Sequence, residues 1–147
     1  MAIAQRTVET VWEGPLGDGR GTVRGGSGAL DGLPVTWAAR TERPDGMTSP
    51  EELAAAAHSS CFAMALALRL GEHDRTPDRL AIAATVTLDD VGGVPTVVSS
   101  ALRVRGQVPG LDAAGFQSVV GEAAELCPMS RLFAGARISV DAALDPE

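Results

Sequence analysis

Short extended segments separated by turns dominate the first forty residues. Apolar and polar positions alternate, with many β-branched and aromatic side chains, in Arg6–Trp12, Gly21–Arg24 and Leu33–Arg40. Turns containing glycine and aspartate divide these segments, and this succession favours strands joined in antiparallel order. The pattern therefore predicts an N-terminal β meander over residues 1–47.

A long helix is predicted next, over residues 49–71. Ser49 is placed to be its N-cap, Pro50 its first helical residue and Glu52 the capping-box partner. Gly71 stands where a glycine commonly ends a helix. The helix is apolar on nearly every side, and such a helix must be buried on every side. Because a chain of 147 residues has little other material to surround it, we expect a partner subunit to cover it.

The C-terminal part, residues 79–147, is predicted to contain two strands, two helices and a final strand. The Gly92-Gly93 pair provides the hairpin turn between the first two strands. The expected elements are strands over 80–88 and 98–104, a helix capped by Asp112 that ends near Cys127, a short helix over 129–134 and a strand over 137–144. We therefore expect one α+β domain over residues 1–147.

Composition and charge narrow the partners and the chemistry. Apolar residues at 45% against 21% charged residues indicate a globular chain. A formal net charge of −7 argues against nucleic acid and acidic membrane surfaces as partners. All twelve basic residues are arginine, and there is no lysine, tyrosine or asparagine. Catalysis is therefore left to Cys, His, Asp, Glu, Ser or Arg. No metal site is expected, because the two cysteines could make a four-ligand zinc site only with both histidines.

The long apolar run is not expected to cross a membrane. It is mostly alanine, it contains His58, Ser59 and Ser60, and its ends are capped and charged. The N-terminal residues lack the basic segment followed by an apolar stretch that marks a signal peptide. We therefore expect a cytoplasmic protein, in which two cysteines are free thiols or a redox pair.

Cys61, inside the long helix, is the candidate nucleophile. Free cysteines are commonly buried as small hydrophobes, and that reading remains open. If Cys61 reacts, a cation must activate it, because only about 3% of a thiol with a pKa near 8.5 is ionised at pH 7. Arg40, Arg20 and Arg24 are candidates, and Glu51 could hold such an arginine by a bidentate pair. Glu51 lies about 15 Å from Cys61 along the helix, so the arginine would have to lie between them.

Two further residues could join this chemistry. Cys127 stands at the helix break before Pro128, where a thiol moves more easily, which suits a resolving cysteine. His58 precedes Cys61 by three residues, a spacing that permits contact on a helix. A histidine in an apolar helix more often satisfies a hydrogen bond in the core, and both roles stay open.

As a set, these residues resemble the OsmC/Ohr family of thiol-dependent hydroperoxide reductases. The resemblance is carried by the segment 48–66, TSPEELAAAAHSSCFAMAL, and by 127–130, CPMS. Trp12-Glu-Gly and Val108-Pro-Gly-Leu-Asp are similar to the osmotically inducible branch. The resemblance implies an intertwined α/β homodimer, with antiparallel sheets wrapped around two long central helices and two active sites at the subunit interface.

The resemblance also implies roles for single residues. Cys61 would be the peroxidatic cysteine, Cys127 the resolving cysteine, Glu51 the carboxylate that holds the catalytic arginine and Arg40 that arginine, with Arg20 as the alternative. The expected cycle attacks a hydroperoxide with the Cys61 thiolate, passes through a sulfenic acid and closes a Cys61–Cys127 disulfide. No cofactor or metal is implied, and an external thiol, for which the family suggests a dihydrolipoyl protein, would reduce the disulfide.

The expected substrate is an organic hydroperoxide, with hydrogen peroxide used more weakly. This preference would come from an apolar lining, for which Phe62, Met64, Met129 and Phe133 are candidates. A dimeric module that binds a small ligand, with both cysteines inert in the core, is the alternative from another class. A general thiol–disulfide oxidoreductase is a further alternative, but the sequence lacks its usual Cys-x-x-Cys motif.

Overall fold

The structure, a computed structural model, describes residues 1–146. Contacts divide the chain into two compact units, Met1–Leu53 and a second that begins at Ala54. The long helix begins in the first unit and continues in the second. The two units are therefore described separately.

The first unit is built on a three-stranded antiparallel sheet. Its strands are β1 (Val8–Glu13), β2 (Arg20–Gly25) and β3 (Leu33–Val35), in the order β1-β2-β3. The sheet therefore has the antiparallel order that the sequence predicts.

The third predicted strand ends early, and this part of the sequence-based prediction is wrong. Helix α1 (Trp37–Thr41) follows β3 directly. Thr36 caps the helix, since its hydroxyl accepts a hydrogen bond from the backbone N–H of Ala39 at 3.1 Å. A threonine at the end of an apolar alternation thus stops the strand and starts a helix.

Helix α2 (Pro50–Glu72) begins at the predicted cap and ends one residue later than predicted. The Ser49 hydroxyl accepts the backbone N–H of Glu52 at 3.1 Å. The Glu52 carboxylate accepts a bond from the Thr48 hydroxyl at 3.0 Å, rather than from the Ser49 backbone as a capping box requires. At the other end the left-handed residue is Asp74, with φ of 56°.

The second unit places a three-stranded sheet beside helices. Strands β4 (Arg79–Val91) and β5 (Val94–Gln107) form a long hairpin, with Gly92 and Gly93 at positive φ in its turn as predicted. Helices α3 (Ala113–Leu126) and α4 (Pro128–Leu132) then lead to β6 (Arg137–Leu144). Because this connection returns the chain along the sheet, β6 pairs with β5 in parallel. The sheets are therefore antiparallel except for this pair, which the sequence did not predict.

The core of the second unit lies between α2, α3 and the sheet. One side of α2 is buried, whereas Met64 on another side is 70% exposed. The members of the core cluster include Phe62, Leu66 and Leu70 of α2, Leu102 and Val104 of β5, and Phe116, Val120 and Ala123 of α3. Within residues 1–146, α2 is the one helix long and apolar enough to span a membrane, a test that core helices of soluble proteins also pass.

Candidate active site

Cys61 and Cys127 meet in the second unit. Cys61 lies on α2 and is partly buried, whereas Cys127 is fully buried at the junction of α3 and α4. Cys61 packs against the core cluster that contains Cys127, and the two thiols lie close enough for Cys127 to raise the pKa of Cys61, although 66 residues separate them along the chain. Pro128 allows this contact, because a proline favours the start of a new helix and places a break at Cys127.

The surroundings of Cys61 favour its neutral thiol. Burial raises the pKa of Cys61 above its ordinary value, and the neighbouring Cys127 raises it further. A hydrogen bond from the backbone N–H of Met129 acts in the opposite direction and lowers that pKa. Met129 is the second residue of α4, and its N–H has no partner within that helix, so it is free to donate to the sulfur.

A groove of about 540 Å³ opens beside Cys61. Apolar side chains line most of it, among them Met64, Leu68, Leu126 and Met129. Two residues predicted for this lining lie elsewhere, because Phe62 is fully buried in the core and Phe133 lines a separate cavity. On α2, Phe62 and Cys61 are adjacent in sequence and therefore point in directions about 100° apart.

Arg40 and Glu51 form a two-pronged ion pair in the first unit. Nε of Arg40 lies 3.1 Å from each carboxylate oxygen of Glu51, and NH2 lies 2.7 Å from Oε1. The guanidinium also lies over the ring of Trp37, with its carbon 5.9 Å from the ring centroid. Arg20, the alternative arginine, is the first residue of β2 and is exposed.

His58 is fully buried and both of its ring nitrogens are engaged. Nδ1 lies 2.6 Å from the Ser100 hydroxyl and Nε2 lies 2.8 Å from the Ser130 hydroxyl. Burial lowers the pKa of His58, so the ring is neutral at neutral pH. With both nitrogens occupied, the ring has no nitrogen left for the Cys61 thiol.

Ser100, Ser130 and the Met129 N–H are the parts of the site that sequence reasoning missed. Ser100 gave a signal, because it stands on the same side of β5 as the buried Leu102 and Val104. A polar residue on a buried side needs a partner. Ser130 and the Met129 N–H gave none, since their contacts depend on how α4 packs.

Within residues 1–146, no group of three or more His, Cys, Asp or Glu side chains could hold a metal ion. The chemistry that these residues offer is that of two adjacent thiols. One of them borders an apolar groove, and the other lies behind it in the core.

Comparison with known proteins identifies the family of this chain. The family described as OsmC-like protein matches residues 43–142. Peroxiredoxin OsmC of Escherichia coli (strain K12) is 41% identical over 130 residues, which cover 88% of this chain and 90% of that protein. The organic hydroperoxide resistance protein of Xanthomonas axonopodis pv. citri (strain 306) is 31% identical over 91 residues, 60% of this chain and 61% of that protein.

A solved structure gives the same result for the fold. The organic hydroperoxide resistance protein OhrB of Bacillus subtilis superimposes with a TM-score of 0.72 at 26% identity, and the match covers 95% of this chain and 98% of that one. The family match spans the positions of both cysteines, Cys61 and Cys127. The chain belongs to the OsmC-like protein family.

Proposed function

We propose that the protein is a cysteine-based peroxidase that reduces organic hydroperoxides, and hydrogen peroxide more weakly, through Cys61. The proximity of Cys61, which borders the groove, to Cys127 in the core behind it carries the proposal. A peroxidatic thiol needs access for substrate and a second thiol within reach, and these residues offer both. Relatives named peroxiredoxin and organic hydroperoxide resistance protein support a peroxidase-type role.

The proposed cycle has two chemical steps. The Cys61 thiolate attacks the terminal oxygen of the hydroperoxide, the O–O bond breaks, and the leaving alkoxide takes up a proton to become an alcohol. Cys61 is then a sulfenic acid, oxidised by two electrons. Cys127 attacks this sulfur, an S–S bond forms, and the departing hydroxide takes the Cys127 proton and leaves as water. An external dithiol, for which a dihydrolipoyl protein is our candidate, returns both cysteines to thiols.

Arg40 is the cation that we assign to the activation of Cys61. The contacts of Cys61 in the second unit on balance raise its pKa, so the thiolate needs a positive charge to form at neutral pH. Glu51 supports this assignment, because a bidentate pair fixes the orientation of the Arg40 guanidinium. The same guanidinium would stabilise charge on the leaving oxygen. Arg20 is the alternative.

A second copy of the chain completes the proposed enzyme. Met64 and Leu68 are large apolar residues that α2 leaves exposed, and a partner subunit would enclose the groove that they line without filling it. We propose that each subunit is one OsmC-like domain, residues 1–147, and that two subunits form an intertwined homodimer in the cytoplasm. The two α2 helices would lie at its centre and the two active sites at the subunit interface.

The apolar groove supports the choice of substrate. Met64, Leu68 and Met129 can pack against the hydrocarbon part of an organic hydroperoxide, and hydrogen peroxide has no such part. No metal or bound cofactor enters the cycle, because the thiols supply both electrons.

Stopped-flow reduction of cumene hydroperoxide and of hydrogen peroxide tests the proposal. We expect faster consumption of cumene hydroperoxide, loss of that reaction in Cys61→Ser, and a Cys61–Cys127 disulfide in peptide maps after one equivalent of peroxide. Wild-type rates in Cys61→Ser would remove Cys61 from the mechanism. Two unreactive thiols in the native protein, titrated with a disulfide reagent, would favour a binding module with inert cysteines.

A further inference from the structure

His58 connects three elements of the second unit. It lies on α2 and contacts Ser100 on β5 and Ser130 on α4 through its two ring nitrogens, at 2.6 and 2.8 Å. The ring also packs edge-on against Phe133, with centroids 5.3 Å apart and planes at 79°. We refer to Ser100, His58 and Ser130 as the hydroxyl bridge. It ties the short helix α4 to both the sheet and the long helix.

The helix that the bridge holds is also the one that contacts Cys61. Cys127 immediately precedes α4, and Met129, its second residue, lines the groove with Cys61 and lowers the pKa of that thiol through its backbone N–H. Ser130 follows Met129 directly. A shift of α4 would therefore move the Cys127 thiol and the Met129 N–H away from Cys61 together.

We propose that His58 is a positioning residue that holds α4 so that Cys127 closes the disulfide with Cys61. This inference rests on the proposed function, and it concerns the second step of the cycle. Formation of an S–S bond requires the two sulfurs to approach in a restricted geometry. If Cys127 is held loosely, it reaches that geometry less often and the disulfide forms more slowly. The bridge acts through position alone, because both ring nitrogens are already bonded.

The hydrogen-bonding capacity of the bridge matches its three members. A neutral imidazole has one N–H donor and one acceptor nitrogen, and each serine hydroxyl can serve either role. In both tautomers one serine donates to the ring and the other accepts from it. His58 and Ser100 are fully enclosed, so water cannot replace a lost partner without opening the core.

Ser130→Ala is the sharpest variant, because it removes the bond to α4 and leaves the His58–Ser100 bond in place. Ser130→Thr restores a hydroxyl and serves as the rescue. Ser59→Ala is the matched control, since the Ser59 hydroxyl bonds only the backbone carbonyl of Ala56 in its own helix, at 3.3 Å. His58→Gln, which replaces the ring, is the second test of the same bridge.

The measurement separates the two steps of the cycle. Reduced protein is mixed with one equivalent of cumene hydroperoxide in the presence of dimedone. The loss of peroxide reports the first step. The ratio of disulfide to dimedone-captured sulfenic acid reports the rate of the second step. For Ser130→Ala we expect closure to slow by about tenfold, the scale of one lost hydrogen bond. Peroxide consumption should stay within about twofold of wild type, because a shift of α4 removes both the Cys127 thiol, which raises the pKa of Cys61, and the Met129 N–H, which lowers it. Ser130→Thr should close the disulfide at nearly the wild-type rate, and the control Ser59→Ala at the wild-type rate.

Closure by diamide provides a readout that needs no peroxidase activity. The Cys61 thiolate adds to the N=N bond of diamide and forms an S–N bond. Cys127 then attacks this sulfur, the S–S bond forms, the S–N bond breaks and the hydrazine leaves with the Cys127 proton. The Ser130→Ala and His58→Gln variants should therefore also slow this closure. If the wild-type protein reduces no peroxide but both variants still slow the closure by diamide, the proposed function is wrong and the role of the hydroxyl bridge remains supported. Wild-type closure in both variants, or an equal slowing of closure and peroxide consumption, would overturn the role of His58.

Discussion

Nε of Arg40 donates hydrogen bonds to both carboxylate oxygens of Glu51, at 3.1 Å each, and NH2 of Arg40 donates to one of them, Oε1, at 2.7 Å. Three contacts from one planar group fix the direction of the guanidinium, which a single charged contact would not do. An arginine held in this way is suited to stabilise a thiolate, because its orientation is set before substrate arrives.

Arg40→Ala should slow the peroxide step by about 10²-fold, the scale observed when one fixed electrostatic group is lost. Arg40→Lys should recover little, since an ammonium cannot reproduce the two-pronged contact. The measurement is the second-order rate with cumene hydroperoxide in stopped flow. The exposed Arg43 supplies the matched control as Arg43→Ala. If Arg20→Ala is slow and Arg40→Ala is not, the assignment passes to Arg20.

Local signals were enough to predict most elements of the fold. Ser49, Asp112 and the Gly92-Gly93 turn each act within a few residues, and each lies at the helix start or hairpin turn that the sequence predicts. The strand prediction for residues 37–40 is wrong because their apolar pattern fits a strand as well as a helix, and the Thr36 cap starts a helix there. The parallel pairing of β5 and β6 failed because strand order depends on contacts distant in sequence.

The candidate site shows the same division. Residue type and motif single out Cys61 and Cys127, but their proximity depends on how α3 and α4 pack on α2. The direction of the Cys61 pKa shift inside the second unit also depends on burial, which spacing does not reveal. His58 satisfies hydrogen bonds in the core, because Ser100 and Ser130 contact its two ring nitrogens. The two serines come from elements that are distant in sequence, so no pattern around His58 predicts both contacts.

Gly106 on β5 is predicted to be essential for packing. A Cβ at this position would lie 2.9 Å from Cζ of Phe116 and 3.1 Å from its Cε2, and Phe116 is fully buried. Gly106→Ala should therefore lower the free energy of unfolding by about 1–3 kcal/mol. Gly121→Ala is the control, because nothing lies within 4 Å of its Cβ and alanine favours a helix by about 1 kcal/mol. Urea unfolding followed by circular dichroism should move the two midpoints in opposite directions.

The buried His58 should make the fold sensitive to acid. Its pKa is lowered in the folded chain from an ordinary value of 6.5, so between the two values the unfolded chain binds a proton that the folded chain excludes. The contribution of neutral His58 to stability is therefore present above 6.5 and is lost as pH falls through the lowered pKa. Urea midpoints measured as pH decreases should fall more steeply for wild type than for His58→Gln. Parallel curves would contradict this prediction.

Met64 should contribute to the preference for organic hydroperoxides. Its side chain is 70% exposed in the isolated chain and borders the groove beside Cys61. Met64→Gln should lower kcat/KM for cumene hydroperoxide by about tenfold, because packing of one such side chain is worth on the order of 1.5 kcal/mol. Hydrogen peroxide, which cannot pack against the groove, should be reduced at an unchanged rate. Val91→Gln, an exposed apolar position at the end of β4, is the control and should alter neither rate.

Cys127 should affect Cys61 before any disulfide forms. Its thiol raises the pKa of Cys61, both as a hydrogen-bond partner and through its charge. Cys127→Ala removes both effects, so the pKa of Cys61 should fall and the far-ultraviolet thiolate absorbance should appear at lower pH. Cys127→Ser keeps a hydrogen-bond partner and should fall less.

This change also alters the kinetics in two opposite ways. At neutral pH the Cys127→Ala protein should consume its first equivalent of peroxide faster than wild type, because more Cys61 is thiolate. It should then stop as a sulfenic acid that dimedone captures, since no second thiol stands within reach. A raised Cys61 pKa in Cys127→Ala would mean that burial and the Met129 N–H, rather than the neighbouring thiol, set the reactivity of Cys61.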